Sequence, residues 1–184
     1  LRSYNEGEKM KVLLVNCFSD DTRYNRFPLG LGYIAASLAT ECDVQVWDLI
    51  DDTVFDQYKL CLLNDTVDVV GITCTSMNLN EVLNIARTTK ALNPRIFIII
   101  GGPQPTAQPQ MTLDLSIDID CVMVGEAEEN IKLLIRKLIE GSSLDGVPNI
   151  YSREPMSKML RSTKISKIRN ENYDFPMKYL PVKP

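Results

Sequence analysis

Histidine is missing from the chain altogether. That removes a Ser-His-Asp triad, an imidazole acid or base, and a histidine-ligated zinc or haem, and with them most hydrolase mechanisms. Clustered cysteine is missing too. Cys17, Cys42, Cys61, Cys74 and Cys121 are scattered, with no Cys-x-x-Cys pair, so no iron-sulfur or zinc cluster can be read from them. An odd number of thiols, four of them in apolar stretches, suits free buried cysteines in a reducing cytoplasm. Long apolar runs are lacking as well. The longest, Ile96 to Ile100, is far too short for a membrane span, and the polar start of the chain offers no signal peptide. A surplus of cations is absent: the net charge is -4, which disfavours a nucleic-acid partner.

What is present is a globular composition, 45% hydrophobic and 24% charged over 184 residues, enough for one domain and some extension. Lys11-Val-Leu-Leu-Val-Asn16 is a short, continuously apolar run of the kind expected of a strand covered on both faces. The runs 43–48, 67–73, 95–100 and 120–125 read the same way and end at polar or glycine positions. Between them lie helical stripes. Leu31, Ile34, Ala35 and Leu38 fall at i, i+3, i+4 and i+7, as do Ile131, Leu134, Ile135 and Leu138. Asn78 with Glu81 three residues on reads as a capping pair opening another helix, which Pro94 ends, and weaker helical signals cover 54–63 and 110–115.

Five βα units of this length predict an α/β fold of three layers: a flavodoxin-like (Rossmann-like), doubly wound, five-stranded parallel sheet over residues 10–141. A sequential Rossmann-type strand order is the competitor. Residues 142–184 hold five prolines and no sustained period, and are expected to form an irregular extension or linker.

Ligands of such sheets bind beyond the carboxyl ends of the strands, so the loops there are the places to search. A long polar loop, 17–27, follows the first strand. Gly30-Leu-Gly-Tyr-Ile-Ala35 matches the dinucleotide pattern Gly-x-Gly-x-x-Ala, with Asp48 where a ribose-binding acid would sit. Its glycines, however, stand far beyond the strand, and a helix begun by Pro28 and packed closely on the sheet explains them equally. Thr73-Cys74-Thr75-Ser76 follows the third strand; its hydroxyls suit a ligand or a local cap. Gly101-Gly102-Pro103 leaves the fourth strand end bare of side chains, which admits a large ligand or makes a tight turn. Gly125-Glu126 and the acids after it suit the start of a helix.

Together, the segments 28–35, 68–73, Gly101-Gly-Pro103 and 120–126 resemble the cobalamin-binding domain at the amino terminus of cobalamin-dependent radical S-adenosylmethionine (radical SAM) enzymes. Asn172-Tyr-Asp-Phe-Pro176 resembles the connector to the catalytic barrel of that family. The resemblance implies a corrin over the carboxyl edge of the sheet and a nucleotide tail in a slot lined by Thr73, Gly101 and Gly102. The implied cofactor-binding set is Leu29, Gly30, Thr73, Cys74, Thr75, Gly101, Gly102, Pro103, Gly125 and Glu126. The cobalamin would be base-off with no histidine below cobalt, and Cys17, Arg23 or Tyr24 would be the nearest groups to that face. A radical SAM barrel in cis, carrying S-adenosylmethionine and a 4Fe-4S cluster, would complete a methyltransferase or related Fe-S oxidoreductase acting on an unactivated carbon or phosphorus centre. This segment alone would bind but not catalyse. A nicotinamide- or flavin-nucleotide domain and a ligand-free interaction domain are the alternatives. On this reading, Gly102→Leu should block the slot and spare the fold.

Overall fold

The computed structural model describes residues 7–17, 28–64, 66–153 and 161–162. Its strands are β1 (Met10–Cys17), β2 (Cys42–Leu49), β3 (Val69–Thr73), β4 (Phe97–Gly101), β5 (Cys121–Met123), β6 (Ile150–Ser152) and β7 (Arg161–Ser162). Among them run α1 (Leu29–Leu38), α2 (Asp52–Asn64), α3 (Leu79–Leu92), α4 (Pro103–Ala107), α5 (Pro109–Asp114) and α6 (Glu128–Glu140). No helix among the described residues is long and apolar enough to cross a membrane.

The sheet order is β2-β1-β3-β4-β5-β6-β7. Its first five strands are parallel in the flavodoxin-like order, which decides against the sequential alternative. The strand count is larger than the sequence suggests, because β6 and β7 continue the sheet antiparallel to β5 and to each other. Segments of three and two residues are too short to show a period. Residues 147–153 nevertheless finish the core edge: Val147 and Ile150 are buried, and Val124 N–H donates to Asn149 O at 2.8 Å.

Two apolar clusters sandwich the sheet. Tyr58 and Leu62 of α2, Val82, Ile85 and Ala86 of α3 and Leu113 of α5 cover one face, over Leu13, Val15, Val70, Ile72, Ile98 and Ile100. On the other face, Leu31, Ala35 and Leu38 of α1 and Ile131, Leu134, Ile135 and Leu138 of α6 cover Val12, Leu14, Val69, Ile99 and Met123. The central strands β3, β4 and β5 are apolar on nearly every residue because both faces are roofed, whereas the edge strand β2 carries Asp43, Gln45 and Asp48. Helix α6 starts on Glu128 and Glu129, which suit the positive end of its dipole, and stops at left-handed Gly141 (φ 63°). The Arg136 guanidinium holds Glu41 in a two-pronged pair (2.8 and 2.5 Å), tying α6 to the turn after α1 and keeping the Glu41 carboxyl below its usual range.

The two sheet edges are finished differently. At the amino edge, Asp68 accepts the Lys11 N–H (2.8 Å) and Asp120 accepts the Ile98 N–H (2.7 Å), so carboxylates stitch neighbouring strands. The carboxyl edge ends in glycines and small polar residues.

Candidate functional site

Between α1 and α6 the sheet is not fully covered. A cavity of about 460 Å³ opens there towards the carboxyl edge, within the ~300–1,000 Å³ typical of ligand sites. Its floor is Leu14, Gly71, Ile99 and Met123, one residue from each of four adjacent parallel strands. One pleat higher, Asn16, Thr73 and Gly101 form the lip, because residues two apart in a strand share a face. Pro28, Gly30 and Ile34 of the α1 side and Ala127, Glu128 and Ile131 of the α6 side are the walls.

Gly71 makes the floor deep. A Cβ there would stand 3.0 Å from Leu14 Cδ2, so any larger residue would fill the slot or displace Leu14. No Cβ at Gly30 or Gly101 would meet anything within 4 Å, so each leaves open space at the mouth. Gly102 is different. It has φ 105°, and a Cβ on it would lie 2.8 Å from Cys74 O and 3.0 Å from Thr73 Oγ1. That glycine is required by the close approach of the β3 and β4 ends, where Cys74 N–H donates to Gly101 O (2.7 Å) and Gln104 N–H to Cys74 O (3.1 Å). The expectation that Gly102→Leu would spare the fold is therefore wrong.

Of the residues chosen from sequence, Gly30, Thr73, Gly101, Gly102, Pro103, Gly125 and Glu126 meet around this cavity. Leu29, Cys74 and Thr75 do not line it. Leu29 is exposed at the start of α1, and Cys74, one residue past Thr73, is buried in the opposite core. Thr75 is held by Asn78, whose Oδ1 accepts its N–H at 2.7 Å and its hydroxyl at 3.1 Å. Asn78 precedes α3 but makes no side-chain cap to it; its amide instead bridges Thr75 to Cys17 O (3.4 Å). Asn16, which sequence reasoning passed over, lines the lip with its amide donating to Asp48 at 2.8 Å. Asp48 is thus engaged by a neighbouring strand. Gly30 lies inside α1, not in a turn directly after β1, so the dinucleotide fingerprint lacks its required placement.

Arg23, Tyr24 and the 172–176 motif lie outside the described residues. Cys17 is described: it is buried and belongs to the core on the face away from the cavity. Burial, with a smaller contribution from nearby Cys74, pushes its thiol up to about 12. Burial likewise takes Cys74 to about 12 and Cys42 to about 11, and raises Cys121. Cys61 alone is partly exposed. A pKa near 12 leaves a thiolate fraction of only ~10⁻⁴ at pH 8. Iodoacetamide at that pH should accordingly alkylate Cys61 first and the other four only after denaturation, as followed by intact mass. Equal rates at Cys17 and Cys61 would contradict the burial described.

Comparison with known proteins adds the following. The B12 binding domain family model matches residues 19–135. An uncharacterised methyltransferase of Pyrococcus horikoshii is 33% identical over 128 residues, 69% of this chain and 28% of that protein. The cobalamin-dependent S-adenosylmethionine radical enzyme OxsB, solved with aqua-cobalamin and S-adenosylmethionine bound, shares the fold with a TM-score of 0.70 at 20% identity, over 88% of this chain and 23% of its own. The radical S-adenosylmethionine methyltransferase TsrM of Kitasatospora setae, solved with cobalamin and a 4Fe-4S cluster, gives 0.69 at 19%, over 85% and 31%. The chain therefore spans less than a third of each of these three proteins.

Proposed function

The chain belongs to the B12-binding domain family, and from that premise we propose that it holds cobalamin with the nucleotide tail in the slot between α1 and α6. The observation that carries this is the side-chain-poor channel: Gly71 in the floor and Gly101 in the lip leave a cavity of about 460 Å³ running from the sheet edge into the core. Leu14, Ile99, Met123 and Ile131 would pack the flat base of the tail, while Thr73 and the Asn16 amide, steadied by Asp48, offer polar contacts at the lip. When bound, cobalamin supplies a cobalt centre able to carry a methyl group. The chain's own residues bind, orient and shield it.

With no histidine in the chain, a base-off cofactor would have no imidazole below cobalt. Among the described residues the cavity lining includes Glu126 and Glu128 but no Lys or Arg, which suits a mostly neutral guest better than the pyrophosphate of a dinucleotide. We assign residues 10–141 to this binding role. The parent would be a radical SAM methyltransferase whose barrel, with S-adenosylmethionine and a 4Fe-4S cluster, meets the exposed corrin face in cis.

The test is reconstitution of the purified chain with hydroxocobalamin, followed by desalting. Near-equimolar retention with a base-off visible spectrum is the expected result, with NAD and flavin mononucleotide passing through unretained. Loss of the pigment on the column, or retention of a flavin instead, would overturn the reading.

A further inference from the structure

A second cavity, of about 610 Å³, lies at the amino edge of the sheet, the edge opposite the slot. Four cations line it: Lys90 from α3, Arg95 before β4, Lys137 from α6 and Arg153 after β6. Asp120 is the one acid among the described residues of that lining, in a chain whose net charge is -4. Asp120 is engaged, since its Oδ2 accepts both the Ile98 N–H and the Lys90 ammonium at 2.7 Å. Lys90 is engaged as well, donating to Ile96 O at 2.7 Å.

Two of the other three cations are left over. No carboxylate among the described residues pairs with Arg95 or Lys137. Arg153 donates to Leu113 O and stands 3.9 Å from Asp114 Oδ1, yet its Nε–H is buried with no acceptor. Phe97, Leu138 and Leu144 give the remaining wall an apolar patch, beside Ser142 and Ser143. In sequence, residues 154–184 hold seven Lys and Arg against three Asp and Glu, so that segment carries the same sign of net charge as the cavity.

We propose that this cavity is a second ligand site, for an organic phosphate: the phosphoryl group meets Arg95, Lys137 and Arg153, and the apolar body lies on Phe97, Leu138 and Leu144. The site is independent of the cobalamin reading, being built from other residues at the other sheet edge.

Inorganic pyrophosphate and ADP are the probes, titrated into the ¹⁵N-labelled chain by NMR and calorimetry, with and without hydroxocobalamin. ADP should bind saturably with a Kd below ~1 mM and more tightly than pyrophosphate, and should shift the amides of Phe97, Asp120, Lys137 and Gly141. The double variant Arg95→Ala/Lys137→Ala should weaken ADP at least about tenfold and leave cobalamin retention unchanged. Both residues reach the surface, so folding should be retained, as circular dichroism will show; raising KCl to about 0.5 M should weaken binding in the wild type independently of any variant. Non-saturating titrations, shifts confined to residues 125–128, or an unaffected double variant would overturn the proposal. Equal affinities for ADP and pyrophosphate would refute the organic component, and binding of poly-glutamate alone would point to an acidic protein segment instead.

Discussion

Gly101→Leu should lower cobalamin affinity by about 100-fold or more while the protein melts within ~2 °C of the wild type. The two halves of that result come from the same geometry. Gly101 ends β4 on the face that carries Ile99, so a side chain there points into the lip of the slot. A Cβ meets nothing within 4 Å and the backbone is in ordinary strand territory, so the fold has room for the new atoms. The guest does not, because the added isobutyl group occupies the mouth through which the tail must pass. Gly102→Ala is the control with the opposite signature. Its positive φ costs ~1–2 kcal/mol for any L-residue, and its Cβ would also press on a carbonyl that already accepts the Gln104 N–H, so stability falls first. Retention of cobalamin by folded Gly101→Leu at wild-type affinity would mean that the tail does not enter between α1 and α6.

This contrast also marks how far the sequence could be read. The strands β1, β3 and β4 were legible because burial on both faces leaves a run of β-branched residues with no polar interruption. Their order in space was expected as 2-1-3-4-5, and the structure has it, but a sequential sheet stood beside it because both use the same βα units; the outcome rests on which helices share a face. Loop glycines and hydroxyls at the carboxyl edge drew attention to Gly101 and Thr73, which line the cavity, but chain neighbours were swept in with them. Cys74 follows Thr73 by one residue and so belongs to the opposite core. The floor was missed for the complementary reason: Gly71 and Ile99 lie two residues back from Thr73 and Gly101 and share their face. A lone glycine within Val-Val-Gly-Ile-Thr was the available signal, because glycine weakens a strand interior unless something must approach it closely. Asn16 carried no such mark, since its pairing with Asp48 is a contact between strands 32 residues apart. Strand β6 escaped notice because its pairing with β5 depends on tertiary contact, with only three residues to show it.

Asn78→Ala should lower stability by about 2–3 kcal/mol, or roughly 5–10 °C in Tm for a chain of this length. Asn78 with Glu81 looks like a helix-capping pair, and loss of such a cap costs ~1 kcal/mol. The structure predicts more, because the amide spends its bonds elsewhere. It is 5% exposed, accepts the Thr75 N–H and hydroxyl, and donates to Cys17 O, so it ties the chain leaving β1 to the chain leaving β3. Truncation leaves the Thr75 N–H and the Cys17 carbonyl to find new partners in a largely water-free place. Thr75→Ala, by contrast, removes only the 3.1 Å hydroxyl bond and should cost less than about 1 kcal/mol. Helix α3 should persist in both variants, since Val82 N–H still reaches Asn78 O. Urea titrations decide between the accounts: the midpoint of Asn78→Ala should move well beyond that of Thr75→Ala at an unchanged slope, which would localise the loss to the native state. Equal midpoints would reduce Asn78 to an ordinary cap. Because Asn16 and Thr73 of the slot lip stand one and two residues from these tethered atoms, Asn78→Ala should also loosen cobalamin several-fold, whereas Thr75→Ala should not.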